Sequence, residues 1–510
     1  MGRFGVIGAG ERLDAKPGEA TASESEALKE PFLVIDAGDA NSEDAALAEA
    51  STEREIGGGD RPKERLASLD VFRGLSIAMM ILVDNAGGEW PAINHSPWNG
   101  VTLADLVMPF FLFIVGVALA LVYKKIPSKL DSTRKAILRS LKLFFLGVFL
   151  QGGYFHGEND LSYGVDLTLI RWCGILQRIA FVYVIVALCE VWLPRVQGSY
   201  FGIMQNYLFH WIFVVVTLTV YLSLLYGLKV PHWQFELPNN RNITMTVTCG
   251  TRSNLDPACN AVGYVDRQIL GVNHLDQQPV FIRTESCSIN SPDYGPLPAD
   301  APVWCHAPFD PEGILSSVSA IVTCFIGLHY GHFIVQCKVL VIRLWFYILA
   351  DAWEWMFQEH KQRIINFIVP AVILLALGYV LHLLGIKMNK PLYSFSYMCF
   401  TAGAAGAVFC LLYILVDVYD IRYPTLLLEW MGMNSLIIYT LAATDVLVVF
   451  IQGFYWKQPQ KNLVTFTREH VFFAMIPSQR WAMLVYVLFG ICCWCVIAGA
   501  LKAKGIFWKF

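Results

Sequence analysis

The chain has 510 residues, 55% of them hydrophobic and only 15% charged. Soluble domains are nearer a quarter charged, so this composition excludes an ordinary water-soluble protein and indicates a membrane protein. The net charge of -3 singles out no partner, and neither a Gly-rich phosphate loop nor a nucleic-acid-binding patch appears.

Residues 1–64 are rich in acidic residues, Ala, Gly and Ser and poor in aromatics. Such a segment cannot bury enough apolar surface to fold, so a disordered acidic tail is expected. It lacks the apolar core and cleavage site of a secretory signal. Val6 stands where a myristoylation signal needs Ser or Thr.

A spanning helix needs about 20 mostly apolar residues. From residue 65 to 510 the pattern predicts an all-α, polytopic helical bundle of about ten transmembrane helices. The predicted spans are Ala67–Ala86, Leu103–Tyr123, Ile137–Tyr154, Leu169–Leu193, Leu208–Leu228, Gly313–Val335, Ile364–Leu384, Ser394–Val416, Leu426–Gly453 and Trp481–Leu501. The first two carry a carboxylate each, Asp84 and Asp105, at the ends facing a short loop with His95, Trp98 and Asn99. A carboxylate at the margin of a bilayer-length helix is costly to desolvate and usually marks a site. A histidine between two of them is a candidate acid, base or acyl carrier, its ordinary pKa of about 6.5 lying nearest neutrality. Alone, His95 reads more readily as an interfacial residue.

The basic residues set the expected orientation. Arg61, Lys63 and Arg65, the cluster Lys124–Lys135, Arg195, the group Lys338–Arg363, Arg422 and the C-terminal lysines fall on one side if ten spans alternate. That side is read as cytoplasmic, with both termini there. The His95 loop, residues 229–312 and residues 455–480 then face the lumen or exterior. The 229–312 loop is too long for a structureless connection. Its alternation over 242–249 suggests a strand. Asn242 heads an N-glycosylation sequence there. The pattern at Asn94 lies too near the membrane to expect a sugar. Cys249, Cys259, Cys287 and Cys305 form an even set in this loop, which suggests two disulfides with three pairings open. A metal is not expected there, since no CxxC spacing occurs. The apolar but charge-bearing stretch 339–357 is read as an interfacial helix on the cytoplasmic face.

Other charges inside spans have two readings each. Arg73 follows Asp70 by three residues, giving either an intrahelical pair or a contact to a donor phosphate. Arg178 is read as pairing with Glu429 or Asp445 or as gripping a pyrophosphate. Asn389 and Lys390 precede the eighth span, a positive residue against the orientation rule. Glu429 and Asn434 in the ninth span are either interhelical glue or substrate contacts. His329 and His332 alone are weak evidence for metal.

The blocks LDVFRGL (69–75), NHSPWNG (94–100), DLVMPFFLFIVG (105–116), GILQRIA (174–180), NKPLYSFSYM (389–398) and LEWMGMNSL (428–436) resemble the catalytic region of the heparan-alpha-glucosaminide N-acetyltransferase family and its plant and bacterial relatives. The resemblance implies a multi-pass enzyme moving acetyl from cytosolic acetyl-CoA, a co-substrate, to an amino-sugar-like acceptor on the lumenal side, without a metal. It places the family's active-site histidine at His95; the residue pattern itself offers Asp84 or Asp105 as the catalytic partner that fixes its tautomer. Trp98, Asn99, Arg73, Arg178, Asn389, Lys390, Glu429 and Asn434 become candidate substrate contacts. The family's animal enzyme has Asn where this chain has Asp84. It also carries a lumenal domain and a leading span where this chain has the acidic tail, and 339–357 looks like an insertion. A lysosome- or vacuole-like endomembrane is the expected location. The bilayer, a small-molecule or glycan acceptor and a second copy of the chain are admissible partners. Alternative functions are a transporter of a small anion or sugar and a multi-pass O-acyltransferase.

Overall fold

The computed structural model describes residues 66–124, 126, 128–152, 167, 170–194, 206–237, 240–344, 352–458 and 460–508, with backbone alone at 237, 240–243, 336–344 and 352–359. The acidic tail, Arg195 and residues 345–351 lie outside these.

The described chain is a helical bundle with one polar insertion. Helices α1 (Ala67–Ala86), α2 (Leu103–Val122), α3 (Lys129–Gly152), α4 (Ile175–Trp192) and α5 (Leu208–Gly227) come first. The insertion follows, with an antiparallel hairpin β1 (Trp233–Leu237) and β2 (Asn240–Val247) and a short helix α6 (Ala261–Leu270). Then come α7 (Ile314–Leu344), α8 (Ala352–Leu383) and α9 (Phe395–Leu412), which continues as a π-helical turn to Val418. The chain ends with α10 (Leu426–Met433), α11 (Ser435–Ala443), α12 (Val446–Gln452) and α13 (Gln479–Ala503).

Seven described helices are long and apolar enough to cross a membrane, or eight if the bent pair α10–α11 counts as one span. Two of the ten predicted spans fall short of that standard although both are helices. The first, α1, carries Asp70, Arg73 and Asp84, and α3 carries a charged first half from Lys129 to Lys142. The ninth, predicted as one span from Leu426 to Gly453, is broken into three helices, with a turn of 83° between α10 and α11. Helix α4 starts at Ile175, and Arg171 in the non-helical segment before it pairs with Asp310; Leu169, the predicted start, lies outside the described residues. Both flanks of the 339–357 stretch are helical, as the end of α7 and the start of α8.

Small residues let the central helices touch. Gly116 of α2 faces the backbone of α7, where an added Cβ would lie 2.0 Å from the Cys324 carbonyl oxygen. Without a hydrophobic drive between helices in lipid, such close backbone packing is the main source of association. Phe72, Phe113 and Phe409 fill the centre between α1, α2 and α9. Phe235, Val247, Val262 and Phe281 of the insertion are buried in a third cluster, which they share with Tyr221 and Leu225 of α5 and Leu315 of α7.

Candidate active site

Asp105 is fixed by the start of α2. Thr102 and Asp105 form a capping box, in which Asp105 Oδ2 accepts from the Thr102 backbone N–H at 3.1 Å and hydroxyl at 3.0 Å. The Ser96 N–H adds a third donor to the same oxygen at 3.2 Å. The other oxygen, Oδ1, meets His95 Nδ1 at 2.9 Å. Pro109 has no N–H for the Asp105 carbonyl four residues earlier. The Tyr397 hydroxyl, from α9, donates to that carbonyl instead. Five groups thus hold one buried carboxylate and its backbone, and the carboxylate in turn holds the imidazole.

Lys390 approaches from the loop before α9, with Nζ 3.1 Å from His95 Nδ1, 3.4 Å from Nε2 and 3.8 Å from Asp105 Oδ1. The two loops are clipped together. Asn99 and Asn389 form an antiparallel bridge, Gly100 N–H donates to the Met388 carbonyl at 2.8 Å, and Asn389 Nδ2 donates to the Trp98 carbonyl at 3.0 Å. Trp98 Nε1 donates to the Leu255 carbonyl at 3.2 Å, and its ring packs on Phe281 and Phe309 of the insertion. Arg283 Nη1 donates to Asn94 Oδ1, which also takes the His95 N–H. The insertion is therefore a lid on the His95 loop, and the Asn94 amide is tied into the site. As expected, the two loops share one end of the bundle.

Burial pushes the His95 pKa down, the Lys390 ammonium pushes it further, and Asp105 pulls back without reversing the shift. A neutral imidazole results. With its Nδ1–H given to Asp105, its Nε2 lone pair is left for chemistry.

Sequence reasoning missed the ion cluster behind this pair. Arg171 pairs with Asp310 at 2.8 Å, Glu312 at 2.6 Å and Asp276 at 3.3 Å. Burial pushes the Glu312 pKa up, but Arg171, Arg178 and Lys390 outweigh it and hold the carboxyl below its ordinary value. Glu312 immediately precedes the sixth predicted span, so the rule that singled out Asp84 and Asp105 also finds it. Asp84 is exposed at the end of α1 and lies within electrostatic reach of Lys390. Tyr439 of α11 feels both Asp84 and Glu312.

Of the remaining candidates, Arg178 lies beside the ion cluster and the others lie elsewhere. Arg73 pairs with Asp70 at 2.9 Å, at the end of α1 away from His95. Arg178 pairs with neither Glu429 nor Asp445, correcting that expectation. It donates to the Ser316 and Ser317 hydroxyls and the Pro311 carbonyl and lies over the Tyr393 ring. Serines at the start of α7 satisfy its guanidinium without a carboxylate. Glu429 is 3.7 Å from Lys502 of α13. Asn434 is buried at the α10–α11 break. His332 Nε2 lies 3.2 Å from Glu190, and no metal-ligating group of three is found among the described residues. Asn242 falls in β2, its side chain outside the described set. Disulfides join Cys249 to Cys259 and Cys287 to Cys305.

Residues 65–228 match the family model described as heparan-alpha-glucosaminide N-acetyltransferase, catalytic. Heparan-alpha-glucosaminide N-acetyltransferase of Mus musculus is 28% identical over 470 residues, and that of Homo sapiens 27% over 464. Each alignment covers 87% of this chain and 60% of the relative, so the chain spans about three fifths of these relatives' length.

Proposed function

We propose that this protein is a multi-pass membrane acetyltransferase that moves acetyl from acetyl-CoA to the amine of an amino-sugar-like acceptor. The observation that carries the reading is the His95 Nδ1 contact to the buried Asp105 carboxylate at 2.9 Å, in a loop clamped under a lid. The similarity to named N-acetyltransferases supports it. His95 Nε2 either takes the proton of the attacking amine or carries the acetyl group between donor and acceptor. Both roles need the neutral imidazole with a fixed tautomer that Asp105 and Lys390 supply. The acceptor enters from the lid end, read as lumenal, and the donor from the end of Arg73, read as cytosolic, in an endomembrane.

Labelled acetyl-CoA offered to the purified protein with a panel of amino sugars and polyols tests this. Amino sugars should be labelled, and His95→Ala should lower the rate by about 10²–10⁴-fold while the protein stays folded. Near-normal transfer by His95→Ala would remove the histidine from the mechanism. Labelling of polyols alone would make the enzyme an O-acyltransferase.

A further inference from the structure

Between α11 and α13 no described helix is long enough to span a membrane. The chain leaves the bundle at Asp445, within electrostatic reach of Asp84. It returns at α13, where Trp481 packs on Trp90 and Gln479 Nε2 donates to Glu89 Oε1 at 3.4 Å. Glu89 and Trp90 belong to the loop that carries His95, so both ends of the detour lie beside the site. Within it, α12 leads to a tight reversal, in which Tyr455 bridges Asn462 and the Trp456 N–H donates to the Lys461 carbonyl at 2.8 Å. A second helical stretch follows, Leu463–Phe466 and Phe473–Met475 with a π-helical turn Thr467–Phe472 between them.

The detour is apolar and uncovered. Phe450 is 64% exposed, Phe454 68% and Trp456 57%. Phe450 meets Phe454 edge to face and Trp456 meets Phe466, so these rings form patches rather than scattered points. Exposed apolar patches mark an interaction face, and three features make the bilayer its occupant. Helix α12 has only 7 residues, against about 20 for a span, so it cannot cross the membrane. Phe472 packs on Tyr486 and Phe489 of α13, and Leu488 and Phe489 of that spanning helix are exposed. The detour therefore continues the lipid-facing surface of α13. Lys457 and Lys461 flank the reversal beside Tyr455 and Trp456, the mix of aromatic and basic side chains that settles at headgroup level.

We propose that residues 446–475 lie in the leaflet at the His95 end as a landing platform, and that the acceptor is an amino sugar carried on a lipid anchor. The anchor rests on the platform and the sugar amine reaches the rim of the His95 loop. Confinement to that rim gives the amine a high effective concentration that a freely diffusing amino sugar lacks. The chemical step is unchanged. The amine nitrogen bonds to the acetyl carbon, the thioester C–S bond breaks, and the proton lost by the amine ends on the CoA thiol. This rests on the acetyltransferase reading above and adds to it the class of the acceptor and the side from which it arrives.

The test uses the full chain in phosphatidylcholine vesicles, with acetyl-CoA and two acceptors, hexadecyl glucosaminide and methyl glucosaminide. The wild type should prefer the hexadecyl acceptor, as the ratio of kcat/KM values. Phe450→Ser combined with Trp456→Ser should lower that ratio on the order of tenfold and leave transfer to methyl glucosaminide at the wild-type rate. A ratio that the double substitution does not change overturns the proposal, and so does an equal loss with both acceptors. A diazirine in the alkyl chain of hexadecyl glucosaminide reads binding whether or not acetyl moves. Photolysis should label residues 446–475, and unlabelled hexadecyl glucosaminide should suppress the adducts better than hexadecyl glucoside, which lacks the amine. Adducts that both suppress alike would show lipid contact without acceptor recognition and overturn the proposal. A segment that takes no adduct and is instead cross-linked to a second copy of the chain would be a subunit interface, which also overturns it. If the wild type acetylates neither acceptor while the amine-selective labelling is present, the acetyltransferase reading fails and the site for a lipid-linked amino sugar stands.

Discussion

At the scale of single residues, Asp105 is the group with least room for change. Its Oδ2 faces three donors and its Oδ1 faces His95 Nδ1. In Asp105→Asn the amide has one oxygen for these two positions. With the oxygen toward Thr102 and Ser96, the NH₂ faces Nδ1 and forces the proton onto Nε2, leaving no lone pair for chemistry. With the amide flipped, the NH₂ meets three donors and the loop is pushed open. Both outcomes abolish function, and the corresponding wrong-tautomer change in a serine protease triad costs about 10⁴ in rate. Acetyl transfer at matched expression measures it, and a loss no greater than that of Asp84→Asn would contradict the assignment. Lys390 makes a separate prediction. Burial and the Lys390 ammonium both lower the His95 pKa, so the imidazole of the wild type stays neutral to more acid pH than an ordinary histidine. In Lys390→Met the second effect is lost, the His95 pKa rises, and the acid limb of the pH–rate profile should move to higher pH. An unmoved acid limb would show that Lys390 does not act through His95. His95, Asp84, Asp105 and Lys390 are legible in the sequence because charge beside a bilayer-length helix is anomalous wherever it occurs. Arg283 and Tyr397 are not, because nothing local distinguishes a lid arginine or a helix tyrosine until the fold brings it to the site.

At the scale of elements, the apolar pattern locates helices well and their breaks poorly. Residues 426–453 read as one uninterrupted span, yet the chain turns at Asn434, with φ -111° and ψ 30°. The cause is tertiary. Backbone contact between α10 and α1 needs glycine on both, with Gly432 against Asp70 and Gly74 against Leu428. A Cβ at Gly74 would lie 1.9 Å from the Leu428 carbonyl oxygen. Backbone cannot yield as a side-chain tip can, so Gly74→Val should force the two helices apart. The expected loss is at least the roughly 1–3 kcal/mol typical of overpacking. It should appear as a lower melting temperature and a poorer yield of folded protein. A wild-type melting temperature would mean that the pair is not packed as described.

At the scale of the whole molecule, four loops meet at one end of the bundle. Trp90 Nε1 donates to the Arg480 carbonyl and its ring packs on Trp481, which brings the segment before α13 to the end that already holds the His95 loop, the lid and Lys390. The basic residues predicted this grouping through the alternation of spans. Cysteine spacing alone allowed three pairings in the lid. The fold selects the two local ones, bridging separations of 10 and 18 residues, because each staples one part of the lid. The second bridge closes residues 287–305, with Arg283 four residues before it and Phe309 four residues after it, two of the lid's contacts to the His95 loop. Closing a loop of that size stabilises by about 3 kcal/mol in the chain-entropy view. The lid's apolar cluster takes in Tyr221 and Leu225 of α5 and Leu315 of α7 but is distinct from the two clusters deeper among the spanning helices. Replacing Cys287 and Cys305 together by Ser should therefore loosen the lid and leave the bundle intact. Far-UV circular dichroism should be unchanged while kcat for acetyl transfer falls several-fold, since the His95 loop loses the surface that holds it. Added reductant should impair the wild type in the same way and have little further effect on the double variant. Full activity of the double variant would show that the His95 loop holds its geometry without the lid, through the clip to Asn389 and Met388 alone.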